Sequence, residues 1–101
     1  LICSASGETP MLVEHAAKAK KVGAAIMLIT TSEASSLAVL SDSMITIDAS
    51  SKTTRSDASV QPMGSLFEQS TAILLDIIVL CLMEKHGISS DDMYRNHSNL
   101  E

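Results

Sequence analysis

Leu1-Ile2-Cys3-Ser4-Ala5-Ser6-Gly7-Glu8-Thr9-Pro10 is the segment on which the fold assignment rests. The apolar run Leu1 to Cys3 reads as the end of a buried strand. Pro10 opens a helical pattern, a residue suited to a first helical turn. Between them lie small and hydroxyl-bearing residues. A strand that ends in such residues and runs into a helix N-terminus makes an anion site, because first-turn N–H groups and the positive dipole end both attract a phosphate. Ser4, Ser6 and Thr9 add hydroxyl donors. Gly7 lets backbone approach a ligand without a Cβ between them. The segment has neither the Lys of a nucleotide P-loop nor a GxGxxG pattern. A small phosphorylated metabolite therefore fits better than a nucleotide. The competing reading is a plain serine N-cap.

Working outward, Pro10 to Val22 is the first predicted helix. Glu14 and Lys18 are spaced for an i,i+4 pair, and Gly23 supplies the stop after Lys18, Lys20 and Lys21. Ala25 to Thr30 is a continuous apolar run, the pattern of a strand covered on both faces. Ser35 or Ser36 caps a short helix through Leu40, and Met44 to Ile47 is a third strand. Alternating strands and helices imply right-handed crossovers and a parallel sheet, an α/β fold. The loops at the carboxyl ends of the strands then share one edge, where ligands bind in open α/β sheets. Ser4–Thr9, Thr30–Ser32 and the chain from Asp48 onward lie there. Ala49 to Ser59 is polar and aperiodic. It reads as a solvated linker, or as a lid whose Lys52 or Arg55 meets a phosphate.

Gly64 or Ser65 starts the longest helix, which runs to Lys85, with Ser65 and Glu68 spaced as a capping box. Its second half is apolar nearly all round, so a subunit interface is expected. His86 and Gly87 end it. Ser89 or Ser90 begins a short helix through Arg95, followed by a tail. The chain opens on Leu1, inside a strand, and is expected to be a piece of a longer protein.

The 101 residues suffice for one domain with one core. Aromatic residues are only 2% of the chain, so that core is aliphatic, and the net charge of −5 comes with no basic stripe, which argues against a nucleic-acid partner. Cys3 and Cys81 lie in apolar runs and read as reduced, buried thiols of a cytoplasmic protein. They form no metal spacing. The uncharged run Ile77 to Met83 is far short of the roughly 20 residues of a membrane span, so no membrane association is expected.

Three segments together, SASGET (Ser4 to Thr9), SVQPMGSLFEQS (Ser59 to Ser70) and MYRNHSNLE (Met93 to Glu101), resemble the C-terminal half of the 6-phospho-3-hexuloisomerase family of sugar isomerase (SIS) domains. The resemblance covers essentially the whole chain. It implies a parallel sheet between helices, five-stranded in the whole domain, and a homotetramer. It also implies interconversion of D-arabino-hex-3-ulose 6-phosphate and D-fructose 6-phosphate without metal or organic cofactor, a step of the ribulose monophosphate route of formaldehyde fixation. Cys3 and Ala5 stand where the family pattern has glycines, and Ala5 does not readily take positive φ. The N-terminal half, with its own phosphate loop, lies outside the sequence, so residues 1–101 are expected to be the C-terminal part of a single SIS domain.

Moving a carbonyl from C3 to C2 needs a base at C2 and a group that shuttles protons between the two oxygens. A partly buried carboxylate suits the first role, because desolvation lifts its pKa from about 4.3 toward neutrality. Glu68 is the candidate, a position the resemblance supports. His97 is the candidate shuttle, since His titrates near about pH 6.5. His15 and His86 read as structural or exposed. Ser4, Ser6, Gly7 and Thr9 hold the phosphate. Glu8 orients a sugar hydroxyl or complements the helix N-terminus. Gln61 and Met63 are candidate pocket residues. The alternative is a non-catalytic SIS module that binds a sugar phosphate, or an inactive piece that keeps only half the fold.

Overall fold

The computed structural model describes residues 1–49 and 59–97. Lys52, Arg55 and the end of the tail lie outside the described residues, so the lid reading does too. The elements follow in the order β1 (Ile2–Cys3), α1 (Pro10–Lys21), β2 (Met27–Thr30), α2 (Ser36–Leu40), β3 (Ser43–Thr46), α3 (Ser65–His86) and α4 (Ser90–Arg95). Residues 1–71 form one compact unit and residues 72–101 a second.

In the first unit, the strands make a parallel sheet of order β1-β2-β3. The register pairs Ile2 with Leu28 and Cys3 with Ile29, then Met27 with Ser43 through Thr30 with Thr46. Side chains alternate between faces along a strand. Ile2 and Leu28 therefore share one face, where Ala16, Ile26, Leu28 and Leu37 form a buried cluster packed by Leu12, Val13, Ala19, Ala38 and Leu40. Cys3 and Ile29 share the other face. Leu28, Ile29 and Leu37 are fully buried, and each such side chain contributes about 1.5–3 kcal/mol.

The element ends have local causes. α1 stops at Gly23, whose φ is +78°. Gly23 N–H donates to Lys20 O and Ala24 N–H to Ala19 O, the paired bonds of a glycine-closed C-terminus. Val22 is thus a cap rather than the last helical residue. Glu14 and Lys18 pair at 2.7 Å, as their spacing predicts. β2 starts two residues later than its apolar run because Asp42 takes the preceding backbone: its Oδ2 accepts from Ile26 N–H at 2.7 Å, and its own N–H donates to Ile26 O at 2.8 Å.

The capping box of Ser65 and Glu68 does not form. Ser65 is already helical, and the first helical bond runs from Glu68 N–H to Gly64 O. The register is shifted by one residue, and Ser65 Oγ instead accepts from Gln69 Nε2 at 3.3 Å.

In the second unit, α3 closes at Gly87, φ +64°, with Ile88 N–H donating to Met83 O. α4 begins with a complete capping box between Ser89 and Asp92. Both cysteines are exposed, against the expectation of buried thiols. Cys3 lies on the sheet's edge strand, and Cys81 lies among the exposed side chains of α3. Ile73, Ile77 and Leu80 are 62%, 50% and 63% exposed on that helix. By length and composition alone, α3 could also cross a membrane. The short run between Asp76 and Glu84 understated this, because the apolar character extends back to Leu66.

Candidate functional site

The loop after β1 is held from three sides. Ser4 N–H continues the ladder to Ile29 O at 2.9 Å. Ala5 O accepts from Thr30 Oγ1 at 3.0 Å, from Thr31 Oγ1 at 2.9 Å and from Thr31 N–H at 3.0 Å. Three donors on one carbonyl fix the path of the chain where it leaves the sheet. Ala5 does not take positive φ; that turn is made at Gly7, φ +67°. Ser4 is buried, and its Oγ accepts from Gly7 N–H at 3.2 Å and lies 3.5 Å from Thr9 Oγ1. Thr9 is the N-cap of α1, yet its side chain makes no capping bond, and the first turn carries no acidic residue. Among the described residues, neither a capping side chain nor a first-turn carboxylate offsets the positive end of α1, which has three hydroxyl residues beside it.

Glu8 precedes the N-cap of α1, but its carboxylate bonds to α2 instead. Its Oε1 accepts from Ser36 N–H and its Oε2 from Ser36 Oγ, both at 2.7 Å. These bonds, the side-chain one foremost, lower its pKa below the ordinary 4.5. Glu8 therefore complements a helix N-terminus, but that of α2. Gly7 is also structural. A Cβ there would fall 2.0 Å from Ser35 Oγ, and Gly7 O accepts from Leu37 N–H at 3.1 Å.

A cavity of about 580 Å³ opens beside this loop, within the size range of small-ligand sites. Cys3, Ser4, Ala5, Ser6, Thr9 and Leu12 line one side; Gly64, Phe67, Glu68 and Thr71 line the other. The second set has the spacing i, i+3, i+4, i+7, which is one face of a helix. The first turns of α3 thus place Glu68 in the same cavity as Ser4, Ser6 and Thr9. Glu68 is exposed, at the cavity rim, without the partial burial expected of it. Partial desolvation pushes the Cys3 thiol up from 9.0, with a smaller opposing pull from the N-terminal ammonium.

Gln61 and Met63 do not line the cavity. Gln61 Nε2 donates to Gln69 Oε1 at 3.0 Å, and Met63 is exposed with φ +52°, in the tight turn that delivers α3. His97 belongs to the second unit, where its N–H donates to Tyr94 O at 3.1 Å. His15 and His86 are exposed. The cavity residues missed in the sequence are Cys3, Ala5, Leu12, Gly64, Phe67 and Thr71. For the last two, the helical spacing around Glu68 was the available signal.

Comparison with known proteins agrees with this fold. The profile of the SIS domain matches residues 1–79. A 3-hexulose-6-phosphate isomerase of Bacillus subtilis (strain 168) is 41% identical over all of this chain and 56% of its own length. One from Mycobacterium gastri is 37% identical over all of this chain and 51% of its own. The chain thus spans about half the length of the curated relatives it matches. Among solved structures, a crystal structure of a hypothetical protein superposes with a TM-score of 0.84 at 30% identity, covering 99% of this chain and 55% of that one. An Escherichia coli CFT073 protein in complex with A5P superposes with a TM-score of 0.73 at 26% identity, covering 96% of this chain and 50% of that one.

Proposed function

Because this chain belongs to the SIS domain family, we propose that it is the C-terminal part of a single SIS domain in an isomerase of phosphorylated ketoses. The reaction is the interconversion of D-arabino-hex-3-ulose 6-phosphate and D-fructose 6-phosphate. The observation that carries this reading is one cavity holding both a phosphate-type loop, Ser4 to Thr9, and a carboxylate, Glu68. The names of the relatives support the choice of substrate.

Ser4, Ser6 and Thr9 with the α1 N-terminus hold the phosphate, and the loop backbone at Gly7 shapes that cradle. Glu68 removes the proton from C2. The electron pair moves into an enediolate, and the proton is returned at C3 as the carbonyl forms at C2. His97 moves the remaining proton between O2 and O3. No step in this scheme calls on a metal or an organic cofactor. The same reading extends to a cytoplasmic protein of the ribulose monophosphate route.

The apolar α3 surface is assigned to a homo-oligomer, a tetramer, rather than to a membrane. Asp76 sits near the middle of the helix, and an acidic side chain at that depth of a bilayer is costly.

The test uses the full-length protein, wild type and Glu68→Gln, assayed for conversion of the hexulose phosphate to fructose 6-phosphate. Loss of a general base costs about 10²–10⁴-fold in rate, with fructose 6-phosphate binding retained. Binding without turnover in the wild type would overturn the enzyme and leave a sugar-phosphate-binding module.

A further inference from the structure

Thr71 is 7% exposed, and its Oγ1 finds no hydrogen-bond partner among the described residues. A buried hydroxyl left unpaired costs free energy, and such groups are scarce in folded proteins. A threonine in a helix ordinarily has a remedy, since its hydroxyl can bond to the carbonyl one turn back. Thr71 does not take it. It lines the cavity on the same α3 stripe as Glu68, three positions further along. Glu68 is at the rim and Thr71 at the buried end, with Phe67 in the wall beside them. The phosphate loop occupies the other side of the same cavity. On the sugar-phosphate reading of the cavity, a ligand held by its phosphate at Ser4 to Thr9 and offering carbon to Glu68 would run its remaining carbons along this stripe.

We propose that Thr71 is a specificity-determining residue, whose hydroxyl pairs with a hydroxyl of the sugar chain. The proposal rests on the reading of the cavity as a sugar-phosphate site. The chemistry follows from the side chain: a hydroxyl both donates and accepts, which matches a polyol hydroxyl on the α3 side of the cavity, away from the phosphate loop. The unpaired group is then a cost carried by the free protein and relieved on binding. The two effects have opposite signs. Removing the hydroxyl should leave the free protein as stable as before or more so, while weakening the sugar phosphate. A structural threonine would lose stability instead.

The experiment compares full-length wild type, Thr71→Val and Thr71→Ser. Fructose 6-phosphate and inorganic phosphate are titrated by calorimetry, and the thermal midpoint of each free protein is recorded. The expected result is a loss of about 5- to 30-fold in fructose 6-phosphate affinity for Thr71→Val. Inorganic phosphate affinity and the thermal midpoint should hold or rise, and Thr71→Ser should recover most of the affinity. Unchanged fructose 6-phosphate affinity in Thr71→Val overturns the assignment while leaving the sugar-phosphate site intact. So does equal weakening of both ligands with a lowered midpoint. A wild type that binds inorganic phosphate but gains nothing from the sugar overturns the site reading itself, and this assignment with it.

Discussion

Replacing Gly7 by alanine tests how the phosphate loop is built. Gly7 is buried and holds φ +67°. An L-residue in that region costs about 1–2 kcal/mol. The added Cβ would also lie 2.0 Å from Ser35 Oγ and 2.4 Å from Ser35 Cβ, so one of them must move. Ser35 is 2% exposed and has little room; overpacking of this kind costs about 1–3 kcal/mol. Ser35 is also the N-cap of α2, accepting from Ala38 N–H at 3.3 Å. Displacing it forfeits about 1 kcal/mol more. The expected total is about 3–6 kcal/mol, a large share of the 5–15 kcal/mol that holds an ordinary domain together. Equilibrium urea unfolding of the intact protein measures it. The second arm is Ser35→Gly, which removes both clashing atoms and keeps a tolerable cap at a cost of a few tenths of a kcal/mol. In that background Gly7→Ala should cost only the backbone share, about 1–2 kcal/mol, leaving a coupling of about 2–4 kcal/mol between two sites that each alone disturb the other. Additive losses, or a Gly7→Ala cost below about 1 kcal/mol, would refute the close approach of Gly7 to Ser35.

Two further outcomes follow from the geometry. Ser36 holds the Glu8 carboxylate below its ordinary pKa of 4.5, and Lys20 with Ile26 N–H does the same to Asp42, below 3.8. A carboxyl whose pKa is depressed by folding contributes stability that is present above its unfolded value and lost as the pH falls through its folded value. Urea midpoints should therefore decline below about pH 4.5, and Glu8→Gln should flatten that decline; an unchanged slope would rule out Glu8 as a source. Ile77 and Leu80 are 50% and 63% exposed on α3; if α3 carries the proposed oligomer interface, Ile77→Glu and Leu80→Glu should lower the sedimentation mass of the protein, whereas an unchanged mass would overturn that assignment.

Local pattern made the order of elements legible, because each depends on neighbours a few residues away. Pro10 and Gly23 bracket α1 through backbone geometry alone. The aliphatic run before Thr30 reads as a strand whatever lies around it. The hydroxyl-rich turn after Cys3 was legible for the same reason: an N-terminus of a helix attracts anions wherever it is placed. The capping box at Ser65 was misread because one residue of register separates a cap from a first-turn residue, and spacing does not carry that register. Cys3 and Cys81 were misplaced because an apolar neighbourhood along the chain does not say which side of a strand or helix is covered.

An alternating α/β chain, a hydroxyl loop at a helix N-terminus and Glu68 at the start of a long helix are all legible from neighbouring residues. What those parts meet depends on the folded arrangement. It turned Gly64, Phe67, Glu68 and Thr71 toward the loop as one wall of a cavity, left the Thr71 hydroxyl buried without a partner, and joined Glu8 to a serine 28 positions away. Periodicity states which residues share a face; what that face packs against depends on how separate elements fill space together, and no local pattern records it.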